Sequence, residues 1–296
     1  MDLESTLKEA EYKVWAELEP INNPKADLYA IREEGLTVMA LKKLANSNCS
    51  QIQSIQMIAP DEEKIKGYDF EICVGSNKKG KFIRFFIQAK KIQKTNIEGN
   101  YGEFKSDQCK NLESYSKEKK SIPLYALFNH LENSDRDIIK YYNSSSDFKK
   151  EFLGITLVTT SKMKIKGKRK FKDLHETEIP AYFRYPFLRY HPNDIDFYED
   201  SMQAAVPFHE LAYFSIENAE AFNKRFKELK RKNSLGFFFF FFDDELFDDG
   251  EELIPVLKTN SEELTRDFRE RNERNTIKKL AFNSKALIII NQDLNE

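Results

Sequence analysis

The chain is expected to fold as an α/β protein, with a mixed central sheet flanked by helices and an α+β extension at its C-terminal end. Three observations lead there. Helical and strand-like patterns alternate through the first half of the sequence, which is the signature of helices layered on a sheet. Two short apolar runs, 122–128 and 154–158, have the length and polar bounds of buried strands. Between 67 and 90, two apolar strands flank the polar turn Gly75-Ser76-Asn77-Lys78-Lys79-Gly80, which predicts a β-hairpin.

The elements follow in order. Residues 3–18 have a helical pattern that Pro20 and the turn-like Asn22-Asn23-Pro24 close. A second helix is predicted over 26–45, where Leu28, Ile31, Leu36, Met39, Ala40 and Leu44 recur at helical spacing before Asn46-Ser47-Asn48. A strand over 52–58 precedes the hairpin. A helix over 104–120 turns Cys109, Leu112 and Tyr115 inward. The strand 122–128, a helix over 135–148 and the strand 154–158 follow. Beyond residue 160 the pattern is weaker. An aromatic, proline-punctuated stretch over 179–192 reads as irregular structure packed on the core. Helices are expected over 216–232 and 261–274, and a strand over 286–290. The division this suggests is an N-terminal helix (1–25), a core (26–165) and a C-terminal extension packed on it (166–296), or else one continuous domain.

Composition narrows the function classes. The chain has 296 residues, 32% of them charged and 40% hydrophobic, with a formal charge of −2. That describes a water-soluble globular protein without a global positive field, so nucleic-acid binding would have to come from local patches. Cys49, Cys73 and Cys109 have spacings of neither a disulfide framework nor a zinc site, as expected of reduced thiols in the cytoplasm. The acidic start is no secretory signal, and the longest apolar run, Phe237 to Phe242, falls far short of the roughly 20 residues a membrane helix needs. No membrane partner is expected.

The hairpin carries the chemistry. Strand side chains alternate between faces, so Asp69 and Glu71 share one face of the first strand, and Gln88 and Lys90 share one face of the second. Phe85, Ile87 and Ala89 point the other way. With the two polar faces superposed, carboxylates, an amide oxygen and an ammonium converge. Oxygen ligands of this kind suit magnesium, with Asp69 and the backbone carbonyl of Ala89 as donors and Gln88 as a weaker, neutral one. A divalent cation so held polarises a phosphoryl oxygen and supplies hydroxide at neutral pH, while a lysine beside it orients the attacking water.

These residues resemble the PD-(D/E)xK superfamily, whose fold is that of the type II restriction endonucleases. The resemblance rests on Gly67-Tyr68-Asp69, on Gln88-Ala89-Lys90 and on the order of elements over about 28–129. It is closest to members with glutamine in place of the second acidic residue. Glu34, in Arg32-Glu33-Glu34-Gly35, looks like the acid that many members supply from the first core helix, with Glu33 as the alternative. Gln108 and Leu112 look like the inward face of the helix after the hairpin. The resemblance implies a restriction-endonuclease-like core and a metal-dependent endonuclease acting on DNA. Its catalytic set would be Asp69, Gln88, Lys90 and Glu34. Its magnesium or manganese ligands would be Asp69, Gln88, Glu34 and the Ala89 carbonyl, with Glu71 either a further ligand or the ion-pair partner of Lys90. It also implies a role in bacterial defence against phage. The alternatives are a catalytically inactive member of the fold that binds nucleic acid or protein, and a nuclease acting on RNA.

Three further segments bear on partners. The basic run of Lys162, Lys164, Lys166, Lys168, Arg169, Lys170 and Lys172 suits a phosphate backbone, and equally a solvated loop. The phenylalanine run must be covered, as a strand buried on both faces or as an interface with a regulatory partner or a second copy. The acidic stretch 243–250 does not have the spacing of an EF-hand and reads as a solubilising turn.

Overall fold

The structure is a computed structural model, and it describes residues 1–19, 31–58, 67–93, 100–101, 104–130, 149–160, 205–231, 254–273 and 285–295. The expected helix over 135–148, the basic run, the irregular stretch over 179–192, the phenylalanine run and the acidic stretch lie outside the described residues.

The protein is mixed α/β, with helices on both faces of a sheet that contains parallel and antiparallel pairs. The strands are β1 (Ile52–Ile58), β2 (Phe70–Ser76), β3 (Lys81–Gln93), β4 (Asn100–Tyr101), β5 (Ile122–Phe128), β6 (Ile155–Thr159), β7 (Val206–Pro207), β8 (Leu257–Lys258) and β9 (Lys285–Asn291). Their order across the sheet is β1-β9-β2-β3-β5-β6-β7, and the short β4 and β8 pair with opposite ends of β3. The pairs β2–β9 and β3–β5 are parallel. A parallel pair cannot be closed by a tight turn, and β3 reaches β5 through a crossover that contains the helix Ser106–Glu118.

The helices are α1 (Leu3–Leu18), α2 (Glu33–Ala45), α3 (Ser106–Glu118), α4 (Ile216–Arg231) and α5 (Ser261–Glu273). Asp2 caps α1 by accepting from the Ser5 amide at 2.8 Å. The buried stripe Leu3, Leu7, Ala10, Val14 and Leu18 turns α1 toward the sheet. Ile31 is outside the helix and Arg32 is extended, and α2 starts at Glu33 with two acidic residues in its first turn, where the helix dipole favours them.

One sheet face, with Ile72, Val74, Ile83, Phe85, Ile87 and Ala89, packs with α1 and α2 into the main core. On the opposite face, Leu264 and Phe268 of α5 pack with Cys73, Phe82 and Ile289, and Leu112 of α3 packs with Tyr68 and Phe86. The last strand of the chain is part of the central sheet itself. β9 lies between β1 and β2, pairing antiparallel with one and parallel with the other, so it is an interior strand. Its run Ala286-Leu287-Ile288-Ile289-Ile290 is buried throughout, as an interior strand requires. Among the described residues, no helix is long and apolar enough to cross a membrane.

Candidate active site

The site forms where β2 and β3 meet α3. Register brings Phe70 opposite Ile87 and Glu71 opposite Phe86, so Asp69, one residue earlier, stands beside Gln88. The Asp69 amide donates to the Ile87 carbonyl at 2.8 Å and extends the ladder by one bond. Its carboxylate then takes the next main-chain donor, the Ala89 N–H, at 2.6 Å on Oδ2. The aspartate is thus seated by the backbone of the strand that carries Gln88 and Lys90.

Gly67 sets the approach. Its φ is +73°, and a Cβ there would lie 2.7 Å from both the Gln108 carbonyl oxygen and the Leu112 amide nitrogen of α3. Only glycine combines the left-handed backbone with that contact. The stretch Gly67-Tyr68-Asp69 therefore runs against α3, with Tyr68 stacked on Phe86 at 4.5 Å between ring centroids.

A chain of hydrogen bonds joins the polar residues. Lys90 Nζ donates to Gln108 Oε1 at 3.1 Å, and Gln108 Nε2 donates to Gln88 Oε1 at 2.9 Å. Gln88 Nε2 donates to Asp69 Oδ2 at 2.5 Å and to the Ala89 carbonyl oxygen at 3.3 Å. Gln88 is buried, while Asp69, Lys90 and Gln108 are half-buried. Gln108 has its role through helix phase, since it lies one turn before the buried Leu112 on the inward face of α3. That spacing was legible in the sequence, although a helix glutamine reads first as polar surface.

The first turn of α2 reaches the far end of β3, and it does so with Glu33. Glu33 Oε1 accepts from the Lys91 amide at 3.0 Å, and Lys91 Nζ donates to the Ile31 carbonyl at 2.6 Å. Burial pushes the Glu33 carboxyl above the usual carboxylate range, against the pull of the Lys90 ammonium and the Lys91 N–H, and Glu34 pushes it further up. Burial lowers the Lys91 ammonium, and Glu33 and Glu34 pull it back up. Glu34, the expected acid, is half-buried beside this pair.

Glu71 has another task. It is fully buried, and both its oxygens accept from Arg271 Nη2, at 3.1 and 3.0 Å. Arg84 stands 3.8 Å from it, and Asp267 accepts from both arginines. Arg271 also donates to the Tyr68 hydroxyl at 3.3 Å. Burial works to lower the Arg271 guanidinium, but Glu71, with Tyr68, Asp267 and Tyr115 acting in the same direction, holds it above its ordinary range. Burial, with Glu71 alongside, pushes the Cys73 thiol up to about 12. Glu71 therefore joins α5 to the sheet. Its ion-pair partner is Arg271, not Lys90, and two bonds from a guanidinium leave it poorly suited to a metal. No local signal pointed to this, because the partners are 200 residues apart.

Among the described residues, no group of three or more His, Cys, Asp or Glu side chains stands where it could hold a metal ion. A cation here would rely on one carboxylate, Asp69, with neutral oxygens and water. The donors suit this in part. Asp69 Oδ2 and the Ala89 carbonyl oxygen converge on one point, and the Gln88 amide nitrogen fills it. Magnesium typically takes one or two carboxylates and keeps several waters, so these two oxygens suit it. Gln88 itself fits only with its amide reversed, because its oxygen faces Gln108.

A family model described as a family of unknown function (DUF6615) matches residues 3–232 of the chain. The chain belongs to that family. Neither a curated protein nor a solved structure matches it.

Proposed function

We propose that this member of the family is a metal-dependent endonuclease that hydrolyses phosphodiester bonds of DNA, with its site at the β2–β3 hairpin. One observation carries the reading: Asp69, Gln88 and Lys90 share one face of adjacent strands, and the Asp69 carboxylate is fastened to the main chain between the other two. The passage from β3 through α3 to a parallel β5 also agrees with the resemblance to restriction-endonuclease-like proteins.

Asp69 and the Ala89 carbonyl would hold magnesium or manganese, which would polarise a phosphoryl oxygen and supply hydroxide at neutral pH. Lys90 offers a fixed positive charge to the phosphate and orients water toward it. Glu33, with Glu34 beside it, brings carboxylate oxygens to the other end of the site and balances the Lys90 and Lys91 charges. Gln88, neutral where related proteins have an acid, lowers the negative charge of the site. Weaker cation binding and less repulsion of a phosphodiester both follow. The basic run 162–172 is assigned to contacts with the nucleic-acid backbone. A cytoplasmic role in antiviral defence, under control of a regulatory partner or a second copy, rests on the resemblance alone.

A second reading has a specific observation in its favour. The Gln88 nitrogen occupies the point between Asp69 and Ala89, as expected of a member of the fold that binds nucleic acid without cutting it. Incubating the full chain with supercoiled plasmid, and separately with single-stranded RNA, decides among the readings. Nicking of the plasmid that needs Mg²⁺ or Mn²⁺ and stops with chelator is expected. Cutting of RNA alone overturns the DNA assignment. Binding without cutting of either substrate, at any cation concentration, favours the second reading.

A further inference from the structure

The hydrogen-bond chain at the site has a direction, and its two ends set it. An ammonium has only donors and an ionised carboxylate only acceptors. Lys90 therefore requires an oxygen from Gln108, at 3.1 Å, which turns the Gln108 nitrogen toward Gln88. Gln88 must answer with its oxygen, and its nitrogen is left to face Asp69 and Ala89. Neither amide can reverse alone. If Gln88 turns its oxygen to the cation position, its nitrogen meets the Gln108 nitrogen. If Gln108 then turns, its nitrogen meets the Lys90 ammonium, and that contact must break.

We propose that Gln108 is a positioning residue that couples cation capture at Asp69 to release of Lys90, through concerted reversal of the Gln88 and Gln108 amides. In the arrangement seen here, Lys90 is tethered to Gln108 and the Gln88 nitrogen stands in for the cation between Asp69 and Ala89. In the other arrangement, Gln88 presents its oxygen and Gln108 accepts from the Gln88 nitrogen. Lys90 is then free to face the phosphate. The lysine is therefore deployed only when the cation is in place, which restrains the site without a separate inhibitor. This rests on the cation site proposed above.

Mn²⁺ binding to the full chain, measured by calorimetry without nucleic acid, tests it. Gln108→Met keeps the side-chain length and removes the bond that holds the Gln88 oxygen away. Losing one such bond from the cation-free form should tighten Mn²⁺ binding about fivefold. Gln108→Glu keeps the tether to Lys90 and accepts from the Gln88 nitrogen, so it should tighten binding as well, and it guards against a poorly folded methionine variant. In wild type, Mg²⁺ should move the side-chain amide signals of Gln88 and Gln108 together in ¹⁵N spectra. Asp69-dependent binding that neither variant tightens, or a Gln88 signal that moves alone, overturns the relay and leaves the cation site standing. No binding by wild type, by either variant or by Gln88→Glu overturns the cation site and the relay together.

Discussion

Gly67 bears on the site as strongly as any charged residue, because it determines where Asp69 lies. With φ at +73° and α3 backbone atoms 2.7 Å from where a Cβ would be, alanine meets two separate penalties. The left-handed backbone alone costs about 1–2 kcal/mol, and the backbone contact adds to it. Gly67→Ala is expected to lower stability by more than about 2 kcal/mol in urea denaturation and to weaken any Asp69-dependent binding in the protein that remains folded. An unchanged urea midpoint contradicts the close approach. At this scale the sequence told much but not all. Asp69, Gln88 and Lys90 could be placed on one face because strand alternation is rigid. The choice between Glu33 and Glu34 needed the phase of α2, and that depends on where the helix starts. Arg32 is extended, the helix begins at Glu33, and Glu33 is the residue that meets the Lys91 amide.

At the scale of elements, two buried charge clusters fasten helices, one to the sheet and one to a neighbouring turn. Arg271 of α5 closes on Glu71 of β2, and removing one partner of such a pair typically costs 3–5 kcal/mol. Arg271→Met should therefore destabilise the protein by roughly 3 kcal/mol, with much of that recovered when Glu71→Leu is added. A loss well under about 1 kcal/mol would mean that the cluster does not hold α5. The second cluster joins α1 to the turn Phe208–Tyr213, where the buried Glu11 carboxylate faces both the backbone N–H and the ring of His209. Burial works to lower the imidazole, but Glu11, with help from Glu210 and against Lys8, holds it above its ordinary value. Burial also raises the Glu11 carboxyl. A raised folded-state pKa gives stability that is full below the unfolded value and is lost as pH rises through the folded one. The difference in urea midpoint between wild type and His209→Asn should thus be wider at about pH 6 than at about pH 9. A gap that grows toward alkaline pH contradicts the pairing. Neither cluster was legible, because charge partners far apart in sequence leave no periodic mark.

At the scale of the whole molecule, the sheet depends on its last strand. Apart from the short β4, the helices and strands described up to residue 130 were readable from periodicity, and so was the terminal strand, but its position was not. Strand order depends on long-range pairing, and apolar composition marks β9 as buried without saying between which neighbours. Because β9 separates β1 from β2, a chain ending at residue 232, where the family match ends, lacks an interior strand. It should show disordered tertiary packing by near-ultraviolet dichroism, and a well-packed product would contradict the observed strand order. The same dependence ties the site to the C-terminal half, since Asp69 immediately precedes β2, which lies between β9 and β3. The most direct measurement is Mn²⁺-dependent nicking of supercoiled plasmid by wild type, Asp69→Asn and Lys90→Met, each first shown to be folded. The result expected is a loss of about a hundredfold or more in both variants. Nicking that continues undiminished in both contradicts the assignment of the hairpin as a nuclease site.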